Sequence, residues 1–136
     1  MLVVDTGPLV ATADIDDAHH GVCRALLEGD DGPLVTTALV VAEAAYLIDR
    51  QLGPAGETAL YDSIIDGTLR VENLLAPDWE RVRALVEQYA SLRLGGTDAS
   101  VIAIAERLNV ATIATLNHRH FRVVRPAHCD AFELVP

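Results

Sequence analysis

LVVDTGPLVA, running from Leu2 to Ala11, is the stretch whose reading decides the fold class. Its apolar residues run uninterrupted into Asp5, and Thr6-Gly7-Pro8 follows as a turn signal, which reads as a short buried strand closed by a turn. The same pattern recurs downstream. Asp17–Gly29 reads as a helix with Val22, Leu26 and Leu27 apolar and Gly29 as its stop. Gly32-Pro33 punctuates before Leu34–Thr37, a second strand. Ala38–Leu52 reads as a helix ended by Gly53-Pro54, Gly56–Asp66 as another, and Leu69–Val71 as a short strand after Gly67. Beyond Pro77, Asp78 is a good N-cap for a helix with Trp79, Val82, Leu85, Val86, Tyr89 and Leu92 at three-to-four spacing, closing at Gly95. Thr97 caps a further helix reaching Asn109. Val110–Leu116 reads as a buried strand, and Phe121–Val124 and Phe132–Val135 as short final strands. Strands alternating with helices predict an α/β sandwich around a mostly parallel sheet. With 136 residues and no repeat or linker, residues 1–136 are expected to form a single domain.

Composition narrows the classes further. Hydrophobic residues at 51% and charged ones at 22% exclude a disordered tail or a coiled coil. The longest stretches free of Asp, Glu, Lys and Arg, Gly32–Ala42 and Leu108–His118, are 11 residues each. A membrane-spanning helix needs roughly 18 or more. The start, MLVVDTGP, carries no basic leader, and Cys23 and Cys129 show no metal-type spacing, so a soluble cytoplasmic protein with reduced thiols is expected. All ten basic residues are arginine, against 20 acids, for a formal charge of −10. Residues 1–66 hold 12 acids and 2 arginines, and residues 67–136 hold 8 of each. Such a balance argues against broad polyanion binding while leaving room for a local site built from metal ions and a few arginines.

Three acids stand alone in apolar surroundings. Asp5 is the only charged side chain from Met1 to Ala13, Glu43 the only one from Pro33 to Ile48, and Asp98 the only one from Leu94 to Ala105. Glu43 lies in ALVVAEAAYLI, apolar on every side of a helix, and is therefore expected in or beside the core. Taken singly, Asp5 suits an Asx-turn, Asp98 a helix start, and Glu43 a buried arginine partner. Taken together they suit one crevice, because loops after parallel strands and adjoining helix starts converge at one edge of the sheet. Asp5 ends a strand, Asp98 starts a helix, and Asn117 follows the strand VATIATL. Carboxylates and an amide oxygen, with no lysine in the chain, form a hard-cation site for Mg²⁺ or Mn²⁺. Such a site supports phosphodiester hydrolysis: the cation activates water and offsets charge on the phosphate, and one carboxylate takes a proton.

Four segments carry a resemblance to a known family: VVDTGPLVA (Val3–Ala11), AEAAYLI (Ala42–Ile48), TDASVIAIAERL (Thr97–Leu108) and IATLNHRHFRVVRP (Ile113–Pro126). In this order and at these intervals they resemble the PIN-domain nucleases, and most of all the VapC-type toxins of bacterial toxin–antitoxin pairs. The resemblance spans nearly the whole chain. It implies a PIN-like three-layer α/β/α sandwich and a Mg²⁺-dependent endoribonuclease, with Mn²⁺ able to substitute. Such an enzyme cuts a structured RNA (tRNA, rRNA or mRNA) to inhibit translation, forms a homodimer, is restrained by a cognate antitoxin and does not engage a membrane. The acidic site carries over onto Asp5, Glu43 and Asp98, with Asp5 and Asp98 the principal metal ligands and Thr6 and Thr115 at the supporting hydroxyl positions. The family's T-L-D-x-x-x-F reads TLNHRHF here, so Asn117 replaces an acid and the expected site charge falls from −4 to −3. An amide oxygen can still ligate or orient water.

Other residues read more plainly. His118 and His120 lack a spaced zinc partner set and are expected at the surface or facing RNA, and His19-His20 is expected to be exposed. Arg119, Arg122 and Arg125 suit either RNA phosphates or ion pairs with Asp130 and Glu133, while Arg93 suits a helix C-terminus. Trp79, Tyr46 and Tyr89 are expected in the core. Two further functions compete with a nuclease. An aspartyl-phosphate phosphatase or receiver-like domain normally recruits a lysine, which this chain lacks. The other is a PIN-like binding module, catalytically weakened through Asn117, that mainly engages an antitoxin.

Overall fold

The computed structural model describes every residue from Met1 to Pro136. In chain order the elements are β1 (Leu2–Val4), α1 (Thr6–Ala13), α2 (His20–Gly29), β2 (Leu34–Thr37), α3 (Ala38–Leu52), α4 (Pro54–Ile65), β3 (Leu69–Glu72), α5 (Ala76–Gln88), a 3₁₀ turn (Ala90–Leu92), α6 (Gly96–Leu108), β4 (Thr112–Ala114), α7 (His118–Val123) and β5 (Glu133–Val135). The sheet order is β3-β2-β1-β4-β5, and every neighbouring pair is parallel. The expectation of a mostly parallel sheet thus becomes an all-parallel one. Connections β1→β2→β3 step one way from the centre and β3→β4→β5 the other. Right-handed crossovers then set α1–α4 on one face and α5–α7 on the opposite face. Packing agrees: α1 contacts α2 and α3, α3 contacts α4, and α5 contacts α6.

Leu2, Val3 and Val4 are all buried, the unbroken apolar run that a strand covered on both faces requires. The core joins 26 buried residues from both faces of the sheet. Thr36 Oγ1 donates to the Val4 carbonyl at 2.7 Å, and Thr37 Oγ1 meets Ser100 Oγ at 2.8 Å, tying the start of α3 to α6. Arg81 grips Glu106 through two 2.8 Å bonds, and Arg107 Nε donates to Asp78, which locks α5 onto α6. No helix is long and apolar enough to cross a membrane.

Several local expectations need correction. Thr6-Gly7-Pro8 does not turn away from the strand; it opens α1, with Asp5 as N-cap. The first helical N–H groups have no intrahelical acceptor anyway, so proline costs nothing there. The helix α2 starts at His20 rather than Asp17, whose carboxylate accepts from the His19 backbone N–H instead. Asp78 is not the N-cap of α5 but lies in its first turn, with Oδ2 accepting from Leu75 N at 2.8 Å. That helix ends at Gln88, and Gly95 rather than Thr97 caps α6. Only Thr112–Ala114 of VATIATL is strand. Phe121–Val124, expected as a strand, instead belongs largely to α7, with Phe121 buried. Trp79 and Tyr46 are 51% and 59% exposed rather than core, and only Tyr89 is partly buried. The helix buried on every side is α6, where Ala99 to Ala105 are all enclosed, and not α3.

Candidate active site

Strand order reverses beside the central strand: the chain runs from β1 to β2 on one side and later places β4 on the other. The crevice beyond the carboxyl ends of such neighbouring strands is where open α/β sheets bind ligands. Asp5 follows β1 and Thr115 follows β4, one on each side of it. Thr115 Oγ1 donates to Asp5 Oδ2 at 2.8 Å and accepts from the Asn117 backbone N–H at 3.0 Å. His118 Nε2 lies 3.0 Å from the Thr115 carbonyl and steadies the same turn.

Asp5 is 4% exposed, and its Oδ1 is buried with no hydrogen-bond partner. Burial pushes its carboxyl up from 3.8 to about 6; the Thr115 hydroxyl and the Thr6 backbone N–H oppose the rise, while Asp98 and Glu43 add to it. Hydrogen bonds link the three acids into one neighbourhood: Glu43 to Thr6, the residue after Asp5, and Asp98 through Asn117 and Thr115 to Asp5 itself. None of them meets an arginine, and the one ionisable side chain in contact with them is His120, beside Asp98.

The remaining acids are each held by one oxygen. Thr6 Oγ1 donates to Glu43 Oε2 at 2.6 Å. Asp98, in the first turn of α6, accepts at Oδ2 from Asn117 Nδ2 at 3.2 Å, and His120 Nδ1 lies 2.7 Å from the same oxygen. Glu43 is exposed at the rim rather than sunk in the core, because α3 buries only Val40, Ala44, Ala45 and Ile48. Its apolar surroundings in sequence are largely alanines, which tolerate a solvated face. Asn117 presents its amide nitrogen to Asp98, so it serves as a donor to a carboxylate and not as an inward oxygen.

His120 is the residue that sequence reading missed. With Phe121–Val124 taken as a strand, Asn117 and His120 fall on no common face; at the cap and in the first turn of α7 they are three apart and meet at Asp98. His20 was expected at the surface but is half-buried, with Nδ1 3.0 Å from the Ala11 carbonyl. Arg119 and Arg122 are exposed on α7, and neither they nor Arg125 pairs with Asp130 or Glu133; Glu133 instead accepts from Thr112.

No three His, Cys, Asp or Glu side chains stand close enough to share one ion. A Mg²⁺-sized cation does not need that many, since it is usually held by one or two carboxylates and keeps several waters. The fit rests on Asp5 Oδ1: a buried carboxylate oxygen without a partner calls for an ion or water at that place.

Residues 2–126 match the PIN domain family. The chain is 30% identical over 135 residues to Ribonuclease VapC26 of Mycobacterium tuberculosis, covering 99% of this chain and 100% of that protein. The crystal structure of M. tuberculosis VapC20, a sarcin–ricin loop cleaving toxin, shares the fold with a TM-score of 0.78 and 21% identity, over 83% of this chain and 87% of that one. FitAcB of Neisseria gonorrhoeae matches with a TM-score of 0.65 and 17% identity, over 89% and 91%. The architecture, the order of motifs and this kinship agree: the chain belongs to the PIN-domain family, in its VapC-type branch.

Proposed function

We propose that this chain is a Mg²⁺-dependent endoribonuclease, the toxin half of a type II toxin–antitoxin pair, acting in the cytoplasm on a structured RNA (tRNA, rRNA or mRNA) to inhibit translation. The observation that carries this reading is the unpartnered, buried Oδ1 of Asp5 at the switch point, close enough to Asp98 and Glu43 to feel their charge. Kinship supports the substrate class, since VapC26 is named a ribonuclease and VapC20 a cleaver of the sarcin–ricin loop.

Asp5 and Asp98 would hold the cation, each through the oxygen that the protein leaves free. When bound, Mg²⁺ or Mn²⁺ supplies a Lewis acid for a phosphodiester and for the attacking water. The chain's own residues do the rest. Thr115 fixes the rotation of the Asp5 carboxyl, and Thr6 fixes that of Glu43. Glu43, solvated at the rim with Oε1 unengaged, would take a proton from water. Arg119 and Arg122, exposed on α7 and in no ion pair, would meet RNA phosphates. Residues 1–136 act as one unit, with a second copy of the chain and an inhibitory antitoxin as protein partners.

A second reading, a weakened binding module, is favoured by one observation: the amide nitrogen of Asn117 faces Asp98 where the family motif has an acid. Incubating the purified protein with structured RNA and Mg²⁺ or Mn²⁺ separates the two. Cleavage that disappears in Asp5→Ala and in chelator supports the nuclease. Cleavage that persists in Asp5→Ala sinks it, and a folded protein that never cuts RNA leaves the binding module.

A further inference from the structure

All three acids of the cleft share one arrangement. One carboxylate oxygen is tied to a side-chain hydroxyl or nitrogen, and the other has no hydrogen bond from the protein. For Asp5 and Glu43 the tie is a threonine hydroxyl. For Asp98 it is a pair of nitrogens, Asn117 Nδ2 at 3.2 Å and His120 Nδ1 at 2.7 Å, both on Oδ2. A carboxylate oxygen accepts, so each nitrogen bonds it only by donating: the amide turns its nitrogen inward, His120 Nδ1 carries a hydrogen toward Oδ2, and the two nitrogens lie 2.9 Å apart around that oxygen. Two N–H groups therefore converge on one oxygen, and Oδ1 is left as the oxygen available to a ligand.

His120 is also held firmly. Its side chain is 22% exposed, and that of Asp98 15%. Its neighbour Phe121 is 1% exposed and packs edge-on against Phe132, with centroids 6.4 Å apart, which anchors α7. The imidazole is thus fixed in position and does not hang loosely over the cleft.

We propose that His120 is a positioning residue of the cation site. Together with Asn117 it holds Asp98 by Oδ2 and presents Oδ1 to the ion. The inference rests on the cation-site reading above and goes beyond it, by giving a role to a histidine that composition and spacing left at the surface. Groups that hydrogen-bond a ligating carboxylate set its direction, and losing one typically weakens metal binding about 10- to 100-fold.

The test is calorimetric titration of the full chain with Mn²⁺ at one fixed pH, after thermal unfolding in chelator has shown that each variant folds. His120→Ala is expected to weaken Mn²⁺ binding tenfold or more. His120→Asn should restore most of it, because Asn Nδ2 can stand where the imidazole Nδ1 stands; it is also the informative arm if the alanine variant fails to fold. In an Asp98→Asn background, His120→Ala should change nothing further, which a merely structural role for the ring would not produce. Wild-type affinity in His120→Ala, with binding lost in Asp5→Ala, overturns the inference and leaves the cation site standing. Unchanged binding in Asp5→Ala overturns the site itself.

Discussion

Asp5 is destabilising in its own protein until something neutralises it. Its carboxyl titrates near 6 when folded, against 3.8 as the ordinary value, so the folded state holds the proton more tightly than the unfolded chain. The stability from that proton is fully present below the unfolded value and is lost as pH rises through about 6. By linkage the loss at pH 7 amounts to about 3 kcal/mol. Asp5→Asn should therefore stabilise the metal-free protein by roughly 1–3 kcal/mol at pH 7 and by little at pH 4, while abolishing cation binding. Urea unfolding in chelator at the two pH values checks this, and a destabilised variant at pH 7 would refute the burial account. Asn117 gives the converse case. Its amide nitrogen sits 3.2 Å from Asp98 Oδ2, so Asn117→Asp puts two carboxylates in contact. The variant should melt lower than the natural protein in chelator and show a larger rise on adding Mg²⁺. Equal Mg²⁺ shifts in the two proteins would mean that position 117 lies outside the cation's field.

At the scale of elements, the site depends on α7, a six-residue helix carrying Asn117 at its cap and His120 within it. Phe121, 1% exposed, is its main hold on the core. Phe121→Ala should cost about 3–5 kcal/mol and should weaken Mn²⁺ binding although the ring touches no carboxylate. Full stability loss with unchanged Mn²⁺ affinity would show that the helix does not position the site. This element was also the least legible in sequence. FRVV is a short run with three apolar residues of four, and periodicity cannot tell a four-residue strand from one helical turn. The longer or better punctuated elements were plain: Ala38–Leu52 and Leu34–Thr37 occur with the bounds their turn residues and caps imply. The helix α1 was hidden because Gly7 and Pro8 look like breakers, although a first turn accommodates both. Asp5 and Asp98 could be found as isolated acids at a strand end and a helix start. The depth of Glu43 could not, because its alanine neighbours suit core and surface equally.

On the scale of the whole molecule, the parallel sheet brings residues 110 positions apart, Thr115 and Asp5, into one hydrogen bond across the switch point. Protons and cations then compete for the same carboxylate. Stabilisation by Mg²⁺ should be small at pH 5, where Asp5 keeps its proton, and should grow to several degrees of melting temperature by pH 7.5. Melting curves with Mg²⁺ or chelator across that range check it; a shift independent of pH would separate the cation from Asp5. The most direct measurement is anomalous diffraction from a crystal of the protein soaked in Mn²⁺. One ion within bonding distance of both Asp5 Oδ1 and Asp98 Oδ1 is the predicted result. Manganese bound elsewhere, or to neither aspartate, would contradict the account.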